Sequence, residues 1–413
     1  MSLDGKLGPA VISHGIDETS PRTTAPPMGR LAQSLRQAFE FLAVTICTLA
    51  FIASALSILG SFLGKTSAGT RDFVEYWAAG QQWIHRANPY DGAAIRQLEL
   101  SAGFPPAAPT LYLGNPPSAL LLVLPLGLVN PILGEVLWEL ALLVSLAVSI
   151  QILRGLMGQR QSQVHLVLYA FAPVLACLLG GQISLFLLLG LVLFLRLHKH
   201  SPFLAGASLW LCLLKPHLFV PFGVVLLVWI CRTRAYKVFA GVAAALGFSS
   251  LIAILIRPTI WNNYRVMMHE QRIDQLDLPC LSVFVRQHLY PHTFWVQCLP
   301  VVAGCLWALL YYRRHQARWH WIEHGSLLLL VSVVVAPYSW FMDQTLLIPS
   351  LLYALYRTES RVLIAALALI SALLEIVGVR GAGLYSPWYL AAALAWSVWF
   401  LIATHKSTRL AAI

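Results

Sequence analysis

Long apolar runs recur along this chain from residue 38 to residue 404, separated by short polar stretches. A helix must be about 20 apolar residues long to cross a bilayer core. Within that core the backbone must satisfy its own polar groups, so only helices and closed barrels can span it. The short alternating segments of a barrel are not evident. Of the 413 residues 58% are hydrophobic and 11% charged, against about half and about a quarter in soluble domains. The expected fold class is an all-α polytopic membrane protein, with residues 37–413 as one integral-membrane domain. Residues 1–36, rich in Ser, Pro and Thr, read as a disordered cytoplasmic tail. The run 38–63 is too long for a signal-peptide core and reads as a retained first span.

The net charge of +11 comes largely from short basic connectors at 154–160, 196–200, 231–237, 311–318, 356–361 and 404–409, together with the tail. In a membrane protein such clusters set orientation and do not call for a nucleic-acid partner. If all of them lie on the cytoplasmic side, crossings alternate near 134–153, 165–179, 183–195, 202–214, 217–231, 238–256, 297–312, 325–340, 343–356, 361–378 and 387–404. With the first span this predicts about 12 crossings, within a range of roughly 11 to 13, and places both termini inside. The segment 116–129 breaks the alternation if it crosses, and it is short for a span. It is expected to be re-entrant or interfacial, with a thirteenth crossing as the alternative.

This topology gathers unusual polar residues on the outer face. They fall in the first outer loop (64–116), a second large loop (257–296), and the turns at 178–184, 213–219 and 336–344. Asp72, Glu75, Asp91, Glu99, Glu270, Asp274, Asp277 and Asp343 all lie there. Ionisable groups at membrane depth are costly and point to a site. Residues 72–87 form an amphipathic helix on a 100° wheel, with Asp72, Glu75, Gln82 and Arg86 on one side. Phe73, Tyr76, Trp77, Gly80, Trp83 and Ile84 fill the adjoining arc, and the expectation is that they hold the helix in the membrane interface. Asn88-Pro89 ends it.

Seven scattered cysteines offer no Cys-x-x-Cys and no paired Cys/His spacing. No P-loop and no dinucleotide fingerprint appears, which disfavours a nucleotide-sugar donor. No cofactor is expected. A phosphate-bridging divalent ion held by Asp72 or Asp91 would leave no spacing signature, so metal dependence stays open.

The first span followed by D-F-x-x-Y-W-A-A-G and then N-P-Y-D resembles glycosyltransferase family 87 of the GT-C superfamily of membrane enzymes. The similarity continues through NPPSALLLVLPL (115–126), GGQISLFLLLGL (180–191), LKPHLFVPF (214–222) and APYSWFMDQTLLIPS (336–350). Asn115 and Ala336 depart from the commoner residues, an aromatic and Ser. The resemblance implies a GT-C-like fold and transfer of a mannose-like hexose from a polyprenyl-phosphate donor. The acceptor would be a lipid, glycan or protein on the outer side of the cytoplasmic membrane. Carried over to this sequence, the acid in the first outer loop that serves as general base is Asp72. A leaving lipid phosphate needs cations; Lys215 with neighbouring His217, and Arg257, Arg265 and Arg272, are the candidates. Glu75, Tyr76, Asn88, Asp91, Gln182 and Asp343 are candidates for sugar or acceptor contacts, and pairing with a basic residue is the alternative for Asp343. A flippase of a lipid-linked sugar and a non-catalytic scaffold are the competing readings.

Overall fold

The computed structural model describes residues 72–159, 162–271, 278, 280–358, 360–376 and 388–410, with isolated residues between 34 and 56. Most of the predicted first span lies outside the described residues, as do Arg272, Asp274, Asp277 and the stretch around Arg380. No strand occurs among the described residues.

The helices run in the order α1 (Phe73–Ile84), α2 (Gly92–Ser101), α3 (Leu120–Val123), α4 (Pro131–Leu156), α5 (Ala172–Gly180), α6 (Ser184–Leu197) and α7 (Pro202–Ser208). There follow α8 (Val220–Thr233), α9 (Tyr236–Ile256), α10 (Ile260–Glu270), α11 (Leu281–Leu289), α12 (Leu299–His315), α13 (Glu323–Val334), α14 (Ile348–Arg357), α15 (Arg361–Leu374) and α16 (Trp388–Leu410). Five helical stretches are long and apolar enough to cross a membrane: Pro131–Leu156, Pro216–Thr233, Tyr236–Ile256, Phe294–Arg318 and Trp388–His405. The remaining apolar helices are shorter and broken, and the breaks fall where the sequence requires them. Proline in the first turn starts α4, α5, α7, α8, α12 and α14, where its missing N–H costs nothing. Gly181, at φ 71°, ends α5 in the left-handed conformation that glycine adopts without strain.

Burial is distributed as a bilayer requires. On α4 one face shows Leu133, Val136, Leu137, Leu140, Leu143 and Val144 to the outside, while Glu135, Trp138, Glu139 and Leu142 are buried. Phe239, Phe248, Leu251 and Leu255 on α9, and Val302, Leu306 and Leu310 on α12, are likewise exposed. Small residues allow close helix packing, as usual between membrane helices: a Cβ on Gly241 of α9 would overlap the Phe203 carbonyl of α7.

Residues 117–128 fold as a 3-10 turn, the single turn α3 and a second 3-10 turn. Twelve residues at about 1.5–2.0 Å each reach roughly 18–24 Å, short of a 30 Å core. The segment is pressed against α1. A Cβ on Gly127 would overlap the Gly80 carbonyl, and one on Gly80 would lie 2.6 Å from the Val123 carbonyl.

This contact corrects the expectation for α1. Its aromatic side does not face lipid, because Phe73, Tyr76, Trp77 and Trp83 are all buried in protein. Trp77 Nε1 donates to the Val129 carbonyl at 3.0 Å, and Gln81 Nε2 to the Gly127 carbonyl at 3.0 Å. A wheel records one helix and cannot register that the 117–128 segment and α4 cover its apolar face. The helix also stops at Ile84, with Arg86 turning at φ 56° before Asn88-Pro89.

Candidate active site

Asp72 stands at the head of α1. Its Oδ2 accepts a hydrogen bond of 2.6 Å from Gln182 Nε2, and Tyr76 Oη donates to Gln182 Oε1 at 3.1 Å. One amide therefore fixes both a carboxylate and a phenol of α1. Gln182 can reach them because the chain reverses at Gly180-Gly181. A Cβ on Gly181 would lie 2.9 Å from Phe73 Cβ, so glycine there lets α1 and the α5–α6 turn touch. Trp138 of α4 locks the turn by donating to the Gly181 carbonyl at 2.6 Å, and Tyr76 stacks on its ring at 5.1 Å.

Glu75 lies one turn beyond Asp72 on the same helix. Burial, followed by the negative charge of Asp72, holds its carboxyl well above the usual carboxylate range; a Tyr76 hydrogen bond and the Lys215 charge pull the other way. The pair therefore sets a carboxylate held by a short hydrogen bond beside a carboxyl that burial and its neighbour's charge push toward the protonated form.

The cationic side of the site is built from three distant segments. Lys215 Nζ meets Asp343 Oδ1 at 2.7 Å, and Ser184 Oγ donates to the same oxygen at 2.7 Å. The Trp340 N–H donates to Asp343 Oδ2 at 2.9 Å. Asp343 is fully buried, so its charge depends on these partners; removing one member of such a pair typically costs about 3–5 kcal/mol. An ammonium has three donors, and among the described residues Asp343 takes one of those of Lys215, leaving two for a ligand. Lys215 sits in a break between two 3-10 turns, and Asn115 Nδ2 holds the break by donating to the Leu214 carbonyl at 2.8 Å. Tyr90 in turn donates to the Asn115 carbonyl at 3.1 Å, tying the first loop to the Lys215 segment. His217 stacks on Tyr338 at 3.8 Å, with its Nε2 buried and without a hydrogen-bond partner among the described residues.

The two halves adjoin. A Cβ on Gly180 would lie 3.6 Å from both Asp72 Oδ2 and Met342 Cε, and Met342 precedes Asp343. Asp72, Glu75, Tyr76, Gln182, Lys215 and Asp343 thus share one polar layer, with His217 at its edge. Other candidates are placed elsewhere. Asn88 Oδ1 accepts from the Tyr90 N–H at 3.2 Å, shaping the turn after α1. Asp91 Oδ1 caps α2 through the Ala93 and Ala94 N–H groups at 3.0 and 3.1 Å. Arg257 donates to the Arg86 carbonyl at 3.2 Å, and Arg265 is exposed on α10. Three contributors were not singled out in the sequence: Ser184, Trp138 and Tyr338. Ser184 and Tyr338 lie inside the quoted motifs, but a lone Ser or Tyr carries no spacing signal.

Among the described residues no group of three or more His, Cys, Asp or Glu side chains could hold a metal ion. No curated protein and no solved structure matches the chain. The family model for glycosyltransferase family 87 matches residues 112–337. The match takes in Gln182, Ser184, Lys215 and His217, while Asp72 and Asp343 lie outside it and join through the hydrogen bonds above. With more than half of its length matched, this helical membrane chain belongs to glycosyltransferase family 87 and is a glycosyltransferase.

Proposed function

We propose that this enzyme transfers a mannose-like hexose, with inversion, from a polyprenyl-phosphate sugar to a hydroxyl of a lipid, glycan or protein acceptor. The observation that carries this reading is the fixed Asp72 carboxylate, 2.6 Å from Gln182, in the same layer as the Lys215–Asp343 pair. Asp72 takes the proton of the attacking hydroxyl as its oxygen bonds to the anomeric carbon. The bond from that carbon to the donor phosphate breaks, and the phosphate leaves with the bonding pair. Lys215 meets the charge on it, with His217 beside it, and no cofactor is invoked. Asp343 holds Lys215 in place.

A lipid-linked donor suits a site built at the ends of apolar helices in a chain with no nucleotide motif. The proposed topology is about 12 crossings, with the site on the outer side and both termini cytoplasmic. Its support is that α4, α6 and the stretch Pro216–Thr233 each run from the polar layer to a basic connector.

The test is transfer by purified protein in lipid, with labelled polyprenyl-phosphate mannose and a membrane lipid extract as acceptor source. Asp72→Asn is expected to lower transfer roughly 100- to 10,000-fold, the usual share of a general base. Unchanged turnover would remove Asp72 from the role. Movement of labelled donor across the bilayer with no transfer product would favour the flippase reading.

A further inference from the structure

At the opposite end of α6 and α8 from the polar layer, basic connectors line an open cavity of about 400 Å³, within the range of small-ligand sites. Its wall includes Lys199 after α6, Arg234 at the end of α8, Lys237 in the first turn of α9, and the indoles of Trp229, Trp319 and Trp321. No acidic side chain lines it, and among the described residues none of the three cations is in an ion pair.

The aromatic part is built and not incidental. Trp321 packs against Trp229 at 5.5 Å and Trp319 at 5.4 Å, and is almost fully buried. The indole N–H groups of Trp319 and Trp321 are buried without an acceptor. Arg234 has φ 56°, at the C-terminal cap of α8. Glycine or asparagine is the usual residue there, so arginine takes up a strained conformation in the wall of the cavity. Ala235 caps α9 with no side-chain acceptor, and the Val238 N–H donates to the Ala235 carbonyl at 2.9 Å, which leaves the Tyr236 and Lys237 N–H groups for an anion.

We infer that this cavity binds a phosphate group, through Lys199, Arg234 and Lys237 and the N-terminus of α9, with the Trp229–Trp319–Trp321 cluster as its apolar floor. Guanidinium and ammonium groups are the usual phosphate partners, and tryptophan favours the headgroup level of a membrane. The positive-inside expectation puts this end at the cytoplasmic leaflet, whose anionic lipids present such phosphates. The site is separate from the one read as catalytic and does not depend on it.

Native mass spectrometry of the full chain in detergent reads lipid binding directly, with dioctanoyl phosphatidylglycerol compared with dioctanoylglycerol, which has the same chains and no phosphate. Inorganic phosphate is titrated as a competitor, and separately by calorimetry. The phosphatidyl lipid should bind and the glycerol lipid should not. The variant Lys199→Gln/Arg234→Asn/Lys237→Gln should weaken binding roughly a hundredfold. The charge-conserving Lys199→Arg/Lys237→Arg variant should retain it, and thermal melts confirm that each variant is folded. Saturable binding of inorganic phosphate that displaces the lipid would assign the site to a soluble phosphate; lipid binding that phosphate does not displace assigns it to a headgroup. Equal binding of the two dioctanoyl lipids, with no phosphate binding, overturns the inference. So does a folded triple variant that binds as well as the parent.

Discussion

Asp72 and Glu75 have similar side chains and opposite expected behaviour, and the difference comes from placement. Asp72 accepts a short hydrogen bond from Gln182, whereas Glu75 is half-buried one turn on and faces the Asp72 charge. A protonated Glu75 resembles a glutamine in shape and charge, so Glu75→Gln should keep transfer within about threefold, unlike Asp72→Asn. The pH dependence has a definite sign. Unfolded, Glu75 ionises near 4.5, and folded it ionises well above that, so the folded state binds the extra proton and stability falls as pH rises through that window. The slope contributed is at most about 1.4 kcal/mol per pH unit. Thermal melts of detergent-solubilised protein between pH 5 and pH 9 should show Glu75→Gln with the shallower decline; identical slopes would mean that Glu75 does not resist ionisation. At this scale the sequence offers candidate residues but not their partners. Lys215 and Asp343 are 128 positions apart, and no local pattern joins them, although pairing with a base was one of two readings for Asp343. Asn88 and Asp91 were proposed as sugar contacts. The structure uses both to shape the turn into α2, a local role that Asn and Asp before a helix fill on chemistry alone.

Among the elements, the 117–128 segment matters most to the site, because α1 rests on it. Gly80 and Gly127 let the two backbones touch, and a methyl group on Gly127 has only the Gly80 carbonyl to move into. Gly127→Ala should therefore cost about 1–3 kcal/mol or more through overpacking. It should also lower transfer, because the shift passes along α1 to Asp72. A lower melting temperature with full activity would show that α1 is held independently of this contact. The short length of the segment was legible from its apolar run. Its role as a support for α1 was not, since helical periodicity reports which face is apolar and not what covers it. The same limit explains the aromatic face of α1, which was expected in lipid and is buried against Trp138, Val129 and the 117–128 segment.

For the whole molecule, apolar runs and basic connectors carried more information than any motif. The stretches 134–153, 217–231, 238–256, 297–312 and 387–404 expected to cross correspond to the five helices long and apolar enough to do so. Shorter runs hold the Gly and Pro breaks that carry the site, which hydropathy averages away. The basic connectors also share space. His198, Arg234 and Trp319 line one cavity, while Gln159, His320 and Arg357 line a second of about 300 Å³. Both cavities draw on the segment 319–323, so five connectors distant in sequence lie at one end. Helix α6 links that end to the polar layer, from Leu197 back to Ser184, about 21 Å at 1.5 Å per residue. The proposed orientation puts that end inward, on the rule that basic loops are retained on the cytoplasmic side. Cys231 is exposed at the basic end, and Ala93 is exposed in the first loop. A membrane-impermeant maleimide added to intact cells should label an Ala93→Cys variant and leave Cys231 unmodified until the membrane is opened, as read by peptide mapping. Labelling of Cys231 from outside with Ala93→Cys protected would invert the molecule in the bilayer, and would place Asp72 and Lys215 on the cytoplasmic side.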